Sequence, residues 1–418
     1  MMSNDKKQLK MLAPEGFREK LSRRAFLQGG TAVAGFALIA AACGSSDSAT
    51  DGSTADTAAS DAASTDGLAS GDWSRVINQS SGTLAMYTWG DYNDPDLVGA
   101  LAESTLGVTM KVDYYASNED LITKLSTSGG ASGFDIVVPT GPYIPQMIEK
   151  GLIQKLDKSM IPNMVNVDPN YLAQAWDPTN DYSVCKNWGT TGYFYDTTKI
   201  SKELTTWQDF LDTCMGEASG NCAVIDAAPN YCGPWFWANG INWNTEKPED
   251  LDACEKFMVE EFAQHVKAFD SYPSTKLAEG AYSIAMAWNG DARQAYVRIE
   301  EAGGNPGDWK WVLGAPNTEL WMDNYCIAAG APNAEAANAW INWDLVPEIS
   351  IKDLEYHGYS TGMKNMSTLI SEVAPDLVKG DMIFFGDEQV ATMQTQVITP
   401  ALDRLIDILN KSKAKAGG

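Results

Sequence analysis

The chain has 418 residues, with 30 Lys and Arg against 55 Asp and Glu, a formal net charge of −25. That length exceeds one hydrophobic core and points to more than one lobe. The acidity argues against a nucleic-acid partner, since affinity there rests on basic side chains that neutralise phosphates; it suits a cationic ligand, although acid on the surface also keeps a protein soluble.

Residues 1–72 say where the chain works. Ser22-Arg23-Arg24-Ala25-Phe26-Leu27 is a twin-arginine pattern, followed by a mild apolar run over residues 31–42 and then Cys43. The run is shorter than the roughly 20 apolar residues a membrane span needs. Residues 1–42 therefore read as a Tat-type export signal outside the fold. Ala40-Ala41-Ala42-Cys43 resembles a lipobox, which implies cleavage before Cys43 and lipid on that cysteine. Removing residues 1–42 takes away seven Lys and Arg and three Asp and Glu, leaving 23 against 52 and a charge of −29. Residues 43–72 are almost entirely Ser, Thr, Ala, Asp and Gly. Such residues have little to bury, so a disordered tether is expected, with order beginning near Trp73 or Val76. Lipid plus tether would hold a soluble domain at the outer face of the cytoplasmic membrane or in the periplasm.

Beyond the tether, short apolar runs alternate with helical patterns, which indicates α/β units. Residues 83–89 read as a strand, 95–105 as a helix and 108–115 as a second strand. Ser117 is placed to cap the next helix, with Asp120 in its first turn. Residues 134–139 read as a buried strand and 143–150 as a helix closed by Gly151. Thr206 caps a short helix through Leu211; residues 223–225 are a strand and 248–269 a long amphipathic helix. Residues 282–288 read as a strand, 291–302 as a helix, and 321–328 as a strand suited to crossing between lobes. Residues 333–343, a segment from Pro347, and 399–411 read as helices.

Six cysteines follow Cys43: Cys185, Cys214, Cys222, Cys232, Cys254 and Cys326. An even number in an exported chain favours disulfides. Nearness in sequence suggests Cys214 with Cys222 and Cys232 with Cys254, leaving Cys185 with Cys326; free buried thiols are the alternative. No Cys-x-x-Cys occurs and the only histidines are His265 and His357, so no metal site is expected, and no cofactor. No nucleophile elbow, His-Glu-x-x-His or Cys–His signature is present. The chain is not expected to be an enzyme, although a two-carboxylate hydrolase needs no motif. A tethered sensor is a further alternative.

Chemistry-bearing residues collect at strand ends: Trp89-Gly90-Asp91-Tyr92, Val138-Pro139-Thr140 and Trp288-Asn289-Gly290-Asp291. Ligands of open α/β sheets bind at that edge. Together with Tyr114-Tyr115-Ala116-Ser117-Asn118-Glu119, Phe134-Asp135-Ile136-Val137-Val138-Pro139, the run from Gly151 to Ser159, Asp177-Pro178-Thr179-Asn180-Asp181-Tyr182-Ser183 and Trp321-Met322-Asp323, these segments carry a resemblance. The chain resembles the substrate-binding proteins of ABC-type spermidine/putrescine importers. The resemblance implies an α/β, type II periplasmic-binding-protein-like fold, with two lobes, hinge strands and a ligand cleft between them. Lobe one would be 76–187 plus 319–358, and lobe two 188–318 plus 359–412. It implies ABC permease subunits as partners, a small-molecule amine as cargo and a monomeric state.

Carried over by position, Trp89 and Tyr92 would flank the ligand, and Thr140 would contact it. Trp288 would stack on it and Trp321 would form an aromatic wall. Asp91, Asp291 and Asp323 would supply carboxylates, and Tyr359 would line the cleft. The chain departs from the resemblance where diamine binders carry further acids: those positions fall on Ala227 and Asn230, and Pro142 stands where an aromatic is common. A different amine-containing or zwitterionic solute is therefore an alternative cargo. An iron-binding relative with paired tyrosines would need Tyr114 and Tyr115 side by side, yet successive strand residues face opposite ways.

Overall fold

A computed structural model of the chain describes residues 82–129, 131–373 and 382–417. The twin-arginine pattern, Cys43 and the expected tether lie outside the described residues. Twelve strands are present among the described residues: β1 (Thr83–Trp89), β2 (Thr109–Tyr115), β3 (Ile136–Val137), β4 (Ile153–Gln154), β5 (Val184–Asp196), β6 (Cys222–Val224), β7 (Val266–Phe269), β8 (Ile284–Trp288), β9 (Trp309–Val312), β10 (Thr318–Ala328), β11 (Ser360–Thr361) and β12 (Met393–Thr395). They follow the order β2-β1-β3-β10-β5-β8-β6-β7, with β4 and β12 also on β10, and β9 and β11 also on β5.

In the first half, β1 lies parallel between β2 and β3. Helix α1 (Asn118–Thr127) starts where Ser117 predicts, its hydroxyl accepting from the Asp120 N–H at 3.1 Å. Leu121 and Leu125 of α1 pack with Val137, Ile144 and Met147 into one core. The Asp177-Pro178-Thr179-Asn180-Asp181-Tyr182-Ser183 segment turns the chain into β5. There the Asp177 carboxylate accepts the backbone N–H groups of Asp181, Tyr182 and Ser183 and the Ser183 hydroxyl.

Two long strands join the halves. Residues 184–190 of β5 pair with β10, and residues 191–196 pair with β8 and β9. At its other end β10 pairs with β3 and β4. All thirteen residues of β5 are buried. Tyr193 and Tyr195 enter a core with Trp207, Phe210 and Trp237, while Phe194 enters another with Ala285, Ile299 and Trp309. A strand covered on both faces lacks polar alternation, so the sequence pattern did not reveal it.

In the second half, α2 (Trp207–Met215) is capped by Thr206 and Asp209 in a reciprocal capping box, and runs past Leu211. Helix α3 (Ala228–Ala238) was not expected; it contains Pro234 and is buried along most of its length. The expected long helix over 248–269 is corrected. Pro248–Glu255 is α-helical, Lys256–Phe262 widens into a π-helical turn, and Val266–Phe269 is strand β7, parallel to β6. Val266 and Phe269 suit a pleated surface, and the pairing satisfies the β6 edge. Helices α4 (Asn289–Glu301), α5 (Ala334–Asp344), α6 (Pro347–His357) and α7 (Ala401–Ala416) complete the described core.

The disulfide expectation is also corrected. Cys185, Cys214, Cys222, Cys232, Cys254 and Cys326 are all buried free thiols. Cys185 and Cys326 belong to separate clusters. Cys214 does interact with Cys222, and Cys254 with Cys232, and burial pushes the Cys214 and Cys254 thiols up.

Candidate ligand-binding cleft

The ends of β1 and β8 and the turn after β3 converge on a cavity of about 420 Å³, within the size range of small-molecule sites. Trp89, Tyr92 and Thr140 line it from the first half, and Trp288 and residues 226–230 from the second. Glu319, Trp321 and Asp323 line it from β10, and Tyr359 closes the wall. Seven of the nine expected site residues thus share one cavity.

Asp323 accepts a hydroxyl on each of its carboxylate oxygens. It is 6% exposed. Its Oδ2 accepts the Tyr92 hydroxyl at 2.9 Å and its Oδ1 the Thr140 hydroxyl at 2.7 Å. Asn118 at the start of α1 orients Thr140 in turn: its amide donates to the Thr140 hydroxyl, and its carbonyl accepts the Thr140 N–H, each at 3.0 Å. Burial pushes Asp323 up to about 6, although both hydroxyls and Lys186 pull it back. Lys186 does not enter the cavity. It is fully buried against Asp353 at 2.7 Å, and its ammonium sits 4.4 Å from the Tyr92 ring centre. It therefore fixes Tyr92 from behind.

The aromatic walls depend on two glycines. Trp321 faces Gly189 across the β5–β10 ladder. A Cβ at Gly189 would come to 2.4 Å from the Trp321 ring and from Asn289 Oδ1. A Cβ at Gly290 would likewise meet the Tyr359 ring at 2.4 Å. The Tyr359 and Trp321 rings meet edge to face with centroids 4.9 Å apart. Buried His357 accepts the Tyr359 N–H at 3.0 Å on Nδ1, and desolvation keeps its imidazole well below the usual range, hence neutral.

Two expected carboxylates stand outside the wall. Asp91 sits at φ 51, a left-handed conformation that Asp tolerates. Its side chain is 48% exposed and faces Arg298 of α4 at 3.4 Å. Asp291 lies behind Tyr359 and accepts its hydroxyl at 2.6 Å; burial pushes it up to about 7.

Glu319 was not expected in the site. It is 5% exposed. Its Oε2 accepts the Asn230 amide at 2.6 Å and the Thr191 hydroxyl at 2.5 Å. Burial pushes it up to about 7 against the hydrogen bonds from Thr191, Asn230 and Trp288. The missing signal was simple alternation: Glu319, Trp321 and Asp323 are every second residue of one strand, but the expected strand began at Trp321 rather than Thr318. Asn230, where the resemblance places an acid, is thus the residue that holds one. Tyr272 and Tyr143 also line the cavity unanticipated. At the rim Lys413 is the only basic residue among the described lining, and it pairs with Asp226.

No group of three or more His, Cys, Asp or Glu among the described residues could hold a metal ion. Tyr114 is 60% exposed while Tyr115 is 5% exposed, so this pair does not form a two-tyrosine iron site.

Residues 96–380 match the family described as bacterial extracellular solute-binding protein. The chain belongs to that family. The spermidine/putrescine-binding periplasmic protein of Escherichia coli is 32% identical over 297 residues, which is 70% of this chain and 82% of that protein. The putrescine/agmatine-binding protein of Pseudomonas aeruginosa is 28% identical over 329 residues, 74% of this chain and 86% of that protein. The solved spermidine/putrescine ABC transporter substrate-binding protein of Streptococcus pneumoniae superposes with a TM-score of 0.65 at 25% identity, covering 80% of this chain and 99% of that one. These relatives agree with the resemblance read from the sequence, and the fold is the two-lobe type II fold with β5 and β10 as its crossing strands. A solute-binding protein of this family is a carrier rather than an enzyme. No helix among the described residues is long and apolar enough to cross a membrane.

Proposed function

We propose that this solute-binding protein captures a small linear amine bearing at least two positive charges and delivers it to an ABC permease. The observation that carries this reading is Asp323, a buried carboxylate whose cavity-side partners are neutral hydroxyls, set among aromatic faces. Burying a carboxylate without a counter-charge costs several kcal/mol, and an ammonium docking there would supply one. Trp and Tyr faces attract ammonium by about 0.5–2 kcal/mol per contact and also cover an apolar stem. The names of the Escherichia coli and Pseudomonas aeruginosa relatives support the same cargo class. A zwitterion is less well served, because Lys413, the basic residue of the lining, already has Asp226 as a partner.

On this reading lobe one comprises residues 76–187 and 319–358, and lobe two 188–318 and 359–412. The twin-arginine pattern exports the chain, Cys43 carries lipid, and the tether holds a monomer near its permease. Calorimetric titration tests the cargo, after unfolding and refolding have stripped any carried-over ligand. Putrescine, cadaverine or spermidine should bind with micromolar or tighter affinity, about −8 kcal/mol or better, and more tightly than γ-aminobutyrate. Silence towards all four would overturn the amine reading.

A further inference from the structure

We infer that Glu319 is the second cation-gripping group of this cleft and the residue that makes it select dications over monocations. The inference rests on the amine reading of the cavity and assigns a role to a residue outside the expected site.

The argument begins with strand geometry. Alternate residues of a strand share a face. Glu319, Trp321 and Asp323 occupy such a set, and all three line the cavity. The four residue steps from Glu319 to Asp323 span about 13 Å between Cα atoms. Both end residues line the same cavity. Charge-assisted hydrogen bonds of about 2.8 Å at each end leave room between them for an apolar stem lying over the Trp321 ring. One strand thus carries acid, aromatic and acid in the order of a diamine's charge, stem and charge.

Of the other carboxylates lining the cavity, Asp226 pairs with Lys413, Glu119 accepts the Tyr143 hydroxyl and Asp120 is exposed. Asp91 faces Arg298, and Asp291 sits behind Tyr359. Ala227 has no carboxylate, and Asn230 spends its amide on Glu319 and Thr191. The hydrogen-bond partners that fix Glu319, namely Asn230, Thr191 and Trp288, are neutral. They orient the carboxylate but leave its charge uncompensated, and a second ammonium would compensate it. Asn230 is accordingly a positioning residue, and it makes up for the acid missing from its own position by holding one contributed from β10.

The test compares putrescine with N-acetylputrescine, which has a similar stem and one charge fewer, on wild-type protein and on Glu319→Gln. Glutamine keeps an acceptor for Asn230 and Thr191, and thermal unfolding checks that each variant is folded. Wild-type protein should prefer the dication, and that preference should fall at least tenfold in Glu319→Gln, whichever way round the monocation lies. Glu319→Asp, which keeps the charge, should retain a preference for the dication. An unchanged preference in folded Glu319→Gln would overturn the role of Glu319 and leave the amine reading standing. No binding of putrescine to wild-type protein would overturn the amine reading, and this assignment with it.

Discussion

The Tyr92 hydroxyl reaches across 231 positions of sequence to donate a 2.9 Å hydrogen bond to the Asp323 carboxylate. It joins the turn after β1 to the crossing strand β10. Asp323→Asn should preserve the fold, since an amide fits the same space, yet weaken diamine binding at least tenfold, about 1.4 kcal/mol. Titration calorimetry alongside a thermal melt separates the two effects. Undiminished affinity in a folded variant would remove Asp323 from the ligand.

Binding should depend on pH between about 6 and 7. Asp323 is pushed up to about 6, and Glu319 to about 7. Both must be ionised to pair with ammonium, so diamine affinity should fall as pH drops through that window. Binding near pH 6.5 should release protons, because the incoming cations lower both values. Calorimetry in two buffers of different ionisation enthalpy reads the proton count directly, and identical heats would contradict this coupling.

The same groups set the sign of a stability effect in the empty protein. Asp291, Glu319 and Asp323 hold protons in the folded state that an unfolded chain releases near pH 4. Their contribution to stability is complete at low pH and is lost as pH rises from about 4 to about 7. Added diamine should counter that loss above pH 6 and matter little at pH 4.5. Melting temperatures with and without ligand at the two pH values would show it.

Gly189→Ala should damage the site without removing a polar group. The new methyl would stand 2.4 Å from the Trp321 ring, forcing that wall to move. Overpacking of this kind costs about 1–3 kcal/mol. Reduced ligand affinity and a lower denaturation midpoint are both expected, and a neutral outcome in both would mean that the ladder absorbs the change.

Lys186→Met should be costly to the fold. The ammonium and its partner Asp353 are 0% and 2% exposed, and removing one member of a buried pair typically costs about 3–5 kcal/mol. Chemical denaturation measures this loss. Lys186→Met with Asp353→Leu should recover much of it, since the uncompensated charge is then gone.

The expected elements fared according to their exposure. β1 was legible because one face is more covered than the other, giving the alternation that a half-buried strand needs. The Ser117 and Thr206 caps were legible because capping is local chemistry. β5 was not, since its thirteen residues are buried on both faces. The 248–269 segment misled because its apolar residues satisfy a helical period, whereas the need of β6 for a partner decides its last four. Within the site, strand-end aromatics announced themselves, and Thr140 and Asp323 meet through an isolated bridge between distant segments. Asp91 followed from resemblance, but its φ of 51 turns the side chain towards Arg298. Glu319 would have followed from carrying the alternation of β10 back by two more residues.

The placing of Glu319, Trp321 and Asp323 on a crossing strand has a kinetic meaning. When two lobes rotate about such strands, groups near the axis travel little, while groups at its flanks sweep through large arcs. Trp89 and Trp288 are flank groups, held by β1 and β8. If the cleft closes by such a rotation, the carboxylates of β10 would meet the proposed amine before the aromatic surfaces close over it. Recognition would begin at the pivot and finish at the lips, so that a ligand with the wrong charge would leave before closure is attempted.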